Sequence, residues 1–350
     1  MGKKNNFLKK FVWSFIFMIL ISGFITVSVF YNKIYDSNVS LDYSDELEVF
    51  IPSNADFDMV VGLLSNHGVL SNIPSFVWTA KQKKYTKIIK PGRYIIKNGM
   101  NNNELVNLLR SGKQTPVRLT FNNVRTIEQL CGKIGSQIEL DSIKLLNSLK
   151  DSVFLNSIDL NKYNVPSLFI PNTYEIYWDV SLEKFLNRMV SEHHRFWNSQ
   201  RRKKAKKLNL RLDEVSTLAS IVEKETLKKD EQSTVAGLYL NRLKKNMKLQ
   251  SDPTVIFAIG DFTIKRVLNK DLKFKSPYNT YLNKGLPPGP ITIPSIRAID
   301  AVLNFEKHDY LFMCAKEDFS GYHNFANNGV QHMVNARKYR NALNKKGIKR

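Results

Sequence analysis

Apolar positions recur at helical spacing over residues 211–226, where Val215, Leu218, Ile221 and Val222 fall on one stripe. Asn209 is placed to cap the start of this helix, and Asp213 and Glu214 lie in its early turns, where carboxylates complement the helix dipole. Glu225 follows Leu218 by two turns and Ile221 by one, so it continues the apolar stripe. Glu223 projects about 160° away, on the side of Ala219 and Leu212. A carboxyl group emerging among apolar side chains is desolvated, which raises its pKa and keeps it protonated towards neutral pH. A general acid needs that property. The competing reading is a plain Glu-Lys-Glu turn on a solvated face.

The rest of the pattern alternates short strands with helices. An uncharged apolar run covers residues 11–31, about the length of a bilayer-spanning helix. Residues 48–52 read as a strand, 56–64 and 73–84 as helices, and 91–97 as a turn and strand. Asn102 or Asn103 could cap a helix over 104–110 that stops at Gly112. Residues 117–121 are extended, and helical spacing returns at 126–134 and 140–149. Residues 169–178 form an aromatic-rich loop and strand, which suits sugar faces but also suits ordinary core packing, the preferred reading. A helix over 231–245 precedes the polar loop 249–255. The proline- and aromatic-rich loops 276–281 and 285–291 read as rigid. A buried strand is expected over 309–315, then the segment 321–325 and a basic helix from about 330.

Charge changes the picture at the N-terminus. Lys3, Lys4, Lys9 and Lys10 precede the apolar run, which ends without a small-residue cleavage pattern. This predicts an uncleaved single-pass anchor, with a cytoplasmic N-terminus and the body outside the cytoplasm; a cleaved signal is the alternative. The net charge of +22 asks for an anionic environment. An extracytoplasmic body makes nucleic acid a poor partner, so the basic cluster 201–207 reads as a solvated helix face or one resting on anionic lipid. Cys131 and Cys314 fit no metal spacing and read as free thiols, with one disulfide as the alternative. No metal or organic cofactor is implied.

Several motifs in fixed order carry a resemblance: Leu218-Ala219-Ser220-Ile221-Val222-Glu223-Lys224-Glu225-Thr226, Asn241-Arg242-Leu243, Leu249-Gln250-Ser251-Asp252-Pro253-Thr254, Tyr278-Asn279-Thr280-Tyr281, Gly285-Leu286-Pro287-Pro288-Gly289-Pro290-Ile291, and His323 with Phe325. The chain resembles the MltG (YceG-like) endolytic murein transglycosylases over essentially everything beyond residue 45. The implied architecture is α+β. It runs from a cytoplasmic tail (1–10), through a transmembrane helix (11–31) and linker (32–45), to a LysM-like α/β subdomain (46–115) and a mixed α+β catalytic domain (116–345). One departure is visible: Asn122-Asn123 stand where the family usually carries a Glu-Gly pair.

The resemblance implies cleavage of MurNAc–GlcNAc bonds in nascent peptidoglycan strands without water as nucleophile. Glu225 maps to the family's catalytic residue, acting first as acid and then as base to leave a 1,6-anhydroMurNAc end. Gln250, Asp252, Thr254, Tyr278, Asn279 and Tyr281 are candidates for touching substrate or orienting Glu225, and His323 is a further candidate that a structural role would equally explain. Asp252 would be the second carboxylate of a hydrolase, although its setting also suits a helix or turn cap. Two rival functions stay open: a peptidoglycan hydrolase, and a non-catalytic scaffold for wall synthesis. Wall polymerases are the partners the resemblance implies.

Overall fold

The computed structural model describes residues 2–42 and 44–347, without the side chains of residues 2–6. Helix α1 (Gly2–Tyr35) opens the chain, and its portion Phe7–Tyr35 is apolar and long enough to cross a membrane. The helix continues four residues beyond the apolar run, because its last turn has partners. Phe30 stacks on Trp78 at 5.1 Å, and the Lys33 carbonyl accepts a hydrogen bond from Asn102 at 2.9 Å.

By its internal contacts the chain divides into two compact units, Met1–Arg118 with Glu175–Val180, and Leu119–Tyr174 with Ser181–Arg350. In the first, β1 (Glu46–Ile51) pairs antiparallel with β2 (Gly92–Lys97), Glu46 facing Lys97 and Ile51 facing Gly92. Helices α2 (Phe57–Asn66), α3 (Ile73–Gln82) and α4 (Asn102–Ser111) share its core, where Ile51, Leu64, Phe76, Tyr94 and Leu105 are fully buried. The cap of α4 is Asn101, not Asn102 or Asn103. Its side chain accepts from the Glu104 amide, and the Glu104 carboxylate accepts from the Asn101 amide. Asn102 is instead buried, joined to Asn38 and Ser75.

Strands β3 (Val117–Phe121) and β4 (Asn172–Ile176) form a second two-stranded sheet. Between them run α5 (Ile127–Gly135), α6 (Ser142–Ser148) and α7 (Ser152–Ser157). The aromatic segment 169–178 is partly core: Phe169, ahead of β4, is buried and meets Phe121 edge-on, while Tyr177, directly after β4, is exposed.

After α8 (Leu182–Phe196) comes α9 (Ser199–Lys207), which holds the basic cluster. It is more than a solvated face, since Arg201 makes a bidentate pair with Asp300 and Arg202 donates to the Trp197 carbonyl.

The second unit is built round α10 (Leu212–Glu225), on which α11 (Gln232–Lys244), α12 (Asp252–Ile259) and α13 (Ile296–Leu303) pack. Residues 215–222 of α10 are all buried. The helix begins two residues later than Asn209 would place it: Arg211 is the cap residue, and its amide donates to Glu214. Asn209 lies in the left-handed region at φ 55°.

A hairpin of β5 (Phe312–Ala315) and β6 (His323–Ala326) follows, covered by α14 (Gly329–Lys345). The expected buried strand is half-buried instead: Met313 and Phe325 pack against the core of the second unit, and Phe312 stacks on His332 of α14 at 5.3 Å, in a ribbon of only two strands among the described residues. Both cysteines are free thiols, and burial pushes Cys131 up to about 12.

Candidate active site

Glu225 is the last residue of α10, at the negative end of the helix dipole, which disfavours a carboxylate there. Its side chain keeps a partial opening to solvent, yet protein atoms crowd the carboxyl group. Burial above all, with a smaller contribution from the neighbouring Asp252 charge, pushes its pKa above the ordinary glutamate value. Hydrogen bonds from Ser251 and Tyr239 and the proximity of His323 act in the other direction without overcoming burial.

Two hydroxyls therefore frame the group. Ser251 Oγ donates to Glu225 Oε2 at 2.9 Å, and Tyr239, 1% exposed on α11, is the second partner. Burial also raises the Tyr239 pKa, with the adjacent Glu225 adding to it, so the phenol stays a protonated donor. Glu223 looks elsewhere: it accepts the Ser295 amide at 3.0 Å, at the start of α13.

The loop that delivers Ser251 is held from below. Arg242, 7% exposed, donates from Nε to the Leu311 carbonyl at 2.6 Å and from Nη1 to the Leu249 carbonyl at 2.7 Å. It also reaches the Gln250 side chain at 3.3 Å. Gln250 is exposed, with a left-handed backbone at φ 53°. Thr254 and Asn279 are completely buried and face the loop's interior. Thr254 shares a hydrogen bond with Thr280 at 2.8 Å, and Asn279 donates to the Leu272 and Phe274 carbonyls.

Ser251 is the cap residue of α12 and Asp252 its first helical residue. The Asp252 carboxylate accepts the Tyr281 hydroxyl at 2.5 Å. Tyr278 packs against Phe257, with ring centroids 4.8 Å apart. His323 stands on β6, and Glu231 ties it to the end of α10. Glu231 accepts the His323 amide at 2.7 Å, its Nδ1 at 2.8 Å, and the hydroxyl of Thr226, which caps α10 directly after Glu225. Burial raises the Glu231 pKa, but these hydrogen bonds outweigh it and leave the group below its ordinary value.

Glu225, Ser251, Tyr239, Asp252 and His323 are thus one neighbourhood. Tyr239 and Glu231 carried no readable functional signal in the sequence, since Tyr239 sits among apolar helix positions and Glu231 looks like a helix-start acid. Ser251 lay inside a motif without a role. Among the described residues no group of His, Cys, Asp and Glu could hold a metal ion.

Arg242→Lys should destabilise the fold by about 2–3 kcal/mol, because one ammonium cannot replace the in-plane donors that Nε and Nη1 aim at the Leu311 and Leu249 carbonyls. Denaturant midpoints at constant m-value would show the loss; an unchanged midpoint would refute this role.

The sequence profile of the YceG-like family matches residues 49–338. The chain belongs to the YceG-like family. It is 28% identical to an endolytic murein transglycosylase of Bacillus subtilis, over 82% of this chain and 84% of that protein. It is also 28% identical to an endolytic murein transglycosylase of Streptococcus pneumoniae, over 96% of this chain and 66% of that one. A crystal structure of a YceG-like protein from Listeria monocytogenes superposes with a TM-score of 0.54 at 28% identity, over 83% of this chain and 98% of that one. The Asn122-Asn123 departure has a local explanation: Asn123 sits at φ 51°, the left-handed region that glycine favours and asparagine tolerates. Asn122 accepts from Lys133 through both its carbonyl and its side chain.

Proposed function

We propose that this chain is a membrane-anchored endolytic peptidoglycan transglycosylase in which Glu225 performs both proton transfers. The observation that carries the proposal is the Glu225 carboxyl itself: desolvated, at a helix C-terminus, with a raised pKa and two hydroxyl partners.

In the first step the protonated carboxyl donates to the oxygen of the MurNAc–GlcNAc bond as that bond breaks. Ser251 and Tyr239 then stabilise the carboxylate left behind, which a purely apolar pocket would not do. In the second step the carboxylate takes the proton of the muramoyl 6-hydroxyl, whose oxygen closes on the anomeric carbon. Glu225 ends protonated again, and no water is consumed. Exposed Gln250 and the Asp252–Tyr281 pair are assigned to contacts with the glycan. Buried Thr254 and Asn279, with His323 through Glu231, are assigned to positioning. Tyr278 supplies an aromatic wall.

In this proposal α1 is the anchor with its lysines on the cytoplasmic side, and residues 46–115 form a LysM-like spacer or glycan-binding module. Wall-synthesis polymerases are the expected partners, and failure to co-purify with any would remove that part. The test of function is digestion of peptidoglycan by the full chain in detergent. New muramoyl ends that resist borohydride reduction are expected. Reducible ends would favour the hydrolase, for which Asp252 beside Glu225 is the specific motive. Absence of any cut would favour the scaffold.

The raised pKa has a stability consequence. Between the ordinary glutamate pKa of about 4.3 and the higher folded value, the native state keeps a proton that the unfolded state has released. Stability therefore falls as pH rises through that window. Glu225→Gln, which cannot ionise, should melt above wild type near neutral pH, the gap closing below about pH 4. A gap independent of pH would contradict the raised pKa.

A further inference from the structure

The strongest unassigned feature is a pair of cations beside the catalytic loop. Arg125 and Lys224 line one pocket of about 90 Å³ with Pro253, Ile256, Phe257 and Ile291. Lys224 immediately precedes Glu225 on α10, and Pro253 immediately follows Asp252, so the pocket shares two elements with the site. Both cations are half-buried. Among the described residues neither has a carboxylate within salt-bridge distance, in contrast to Arg93, Arg201 and Arg211. The Arg125 guanidinium rests on the Phe262 ring, 4.7 Å from its centroid. Glu223, the acid whose charge reaches Lys224, already accepts the Ser295 amide. Burial, and then the charge of Arg125, pull the Lys224 pKa below its ordinary value, so the two cations disfavour each other where they stand.

Like charges left half-buried and facing one pocket are compensated by an anion that bridges them. The pocket continues, through Arg125 and Phe257, into a wider groove of about 510 Å³. That groove adds the rings of Tyr163 and Tyr278, Pro166, Lys162, and the ion pair of Lys150 with Glu128 at 3.1 Å, which leaves Arg125 and Lys224 as its half-buried cations without an acidic partner among the described residues. An apolar floor with cations at one end fits an extended peptide carrying carboxylates better than it fits a neutral sugar.

We propose that Arg125 and Lys224 form a carboxylate-binding subsite for the peptide stem attached to the muramoyl residue being cleaved. This rests on the transglycosylase reading and deepens it by assigning substrate selectivity to residues outside the proton-transfer machinery. A guanidinium offers a carboxylate two parallel hydrogen bonds, and the adjacent ammonium adds a charge-assisted contact. Glycan strands bearing acidic stems are then held in preference to stripped strands, with the groove receiving the apolar part of the peptide.

The experiment uses the full chain in detergent with two probes, a muropeptide oligosaccharide carrying its stems and the same oligosaccharide freed of peptide by an amidase. Affinities are measured on the Glu225→Gln variant, so that turnover is not required, and on Arg125→Gln/Lys224→Gln added to it. The expected result is about tenfold tighter binding of the stem-bearing probe, lost in the added double variant while the stripped probe binds as before. Equal affinity for both probes would overturn the subsite, as would a preference that survives the double substitution. Binding of neither probe would overturn it as well. Cleavage of both probes by wild type with equal kcat/KM would sink the subsite while leaving the transglycosylase standing. Failure of wild type to cleave either, with stem-selective binding intact, would instead remove the catalytic reading and leave the subsite. Melting curves of the double variant separate loss of binding from loss of fold.

Discussion

Replacing Glu225 by Gln should abolish strand cleavage, lowering turnover by at least about 10²–10⁴-fold. Glutamine keeps the size of the side chain and can hydrogen-bond Ser251 and Tyr239, whose hydroxyls rotate to accept as well as donate. It cannot give or take a proton. Both steps assigned to Glu225 fail at once, and no second carboxylate is assigned to rescue either. Glu223→Gln is the matched control, because it removes a carboxylate two residues away that is turned towards α13. Its turnover should stay within a few-fold of wild type, with any loss appearing in thermal stability through the weakened start of α13. The opposite ranking of the two variants would move the catalytic role to Glu223.

Gly289→Ala should be the most damaging single-methyl change in the second unit. A Cβ at Gly289 would lie 1.9 Å from the Tyr163 carbonyl oxygen and 2.5 Å from its carbon, both backbone atoms that cannot rotate aside. The loop at 286–291 must therefore lift off the 163–164 turn. Two residues later the Ile291 amide accepts its place on α10 by donating to Ser220 Oγ, buried and 3.0 Å away. Lifting the loop breaks that hydrogen bond as well. Overpacking of this kind costs about 1–3 kcal/mol or more, and an unsatisfied buried partner adds about 1–3 kcal/mol. The melting temperature should fall by several degrees, with activity falling further because Tyr278 and Ile291 line the groove next to Glu225's helix. Melting and cleavage rates equal to wild type would show that the loop does not need this close approach.

What could be read in advance was local periodicity. The stripe of Val215, Leu218, Ile221 and Val222 is buried as its spacing demands, and Glu225 emerges at its end with a desolvated carboxyl. The two carboxylates of the Glu-Lys-Glu turn do face different partners. Helix starts are ambiguous in the sequence where several capping residues compete. Asn101, Asn102 and Asn103 are chemically alike, and the deciding signal was Glu104, placed three residues after Asn101 to complete the reciprocal pair. Glu214, three residues after Arg211, carries the same signal for α10 and outweighs the nearby Asn209.

Tertiary meetings were not readable from periodicity; Asp252 and His323, which lie near Glu225, were singled out only through the family resemblance. Tyr239 reaches Glu225 from another helix, Ser251 from a loop 26 residues later, and Glu231 bridges to His323 across 92 residues. No periodicity relates such positions, and each side chain by itself suits an ordinary structural role. The paired cations Arg125 and Lys224 were equally silent, because separation along the chain hides that they line one pocket without an acidic partner.

The measurement that bears most directly on Glu225 as sole acid and base is digestion of peptidoglycan by the full chain in water enriched in heavy oxygen, followed by mass spectrometry of the new muramoyl ends. Internal closure of the 6-hydroxyl predicts ends lacking the elements of water and carrying no heavy oxygen, whatever the extent of cleavage. Heavy oxygen at the anomeric position would mean that water was the nucleophile, and would turn the site into that of a hydrolase with a second acting carboxylate.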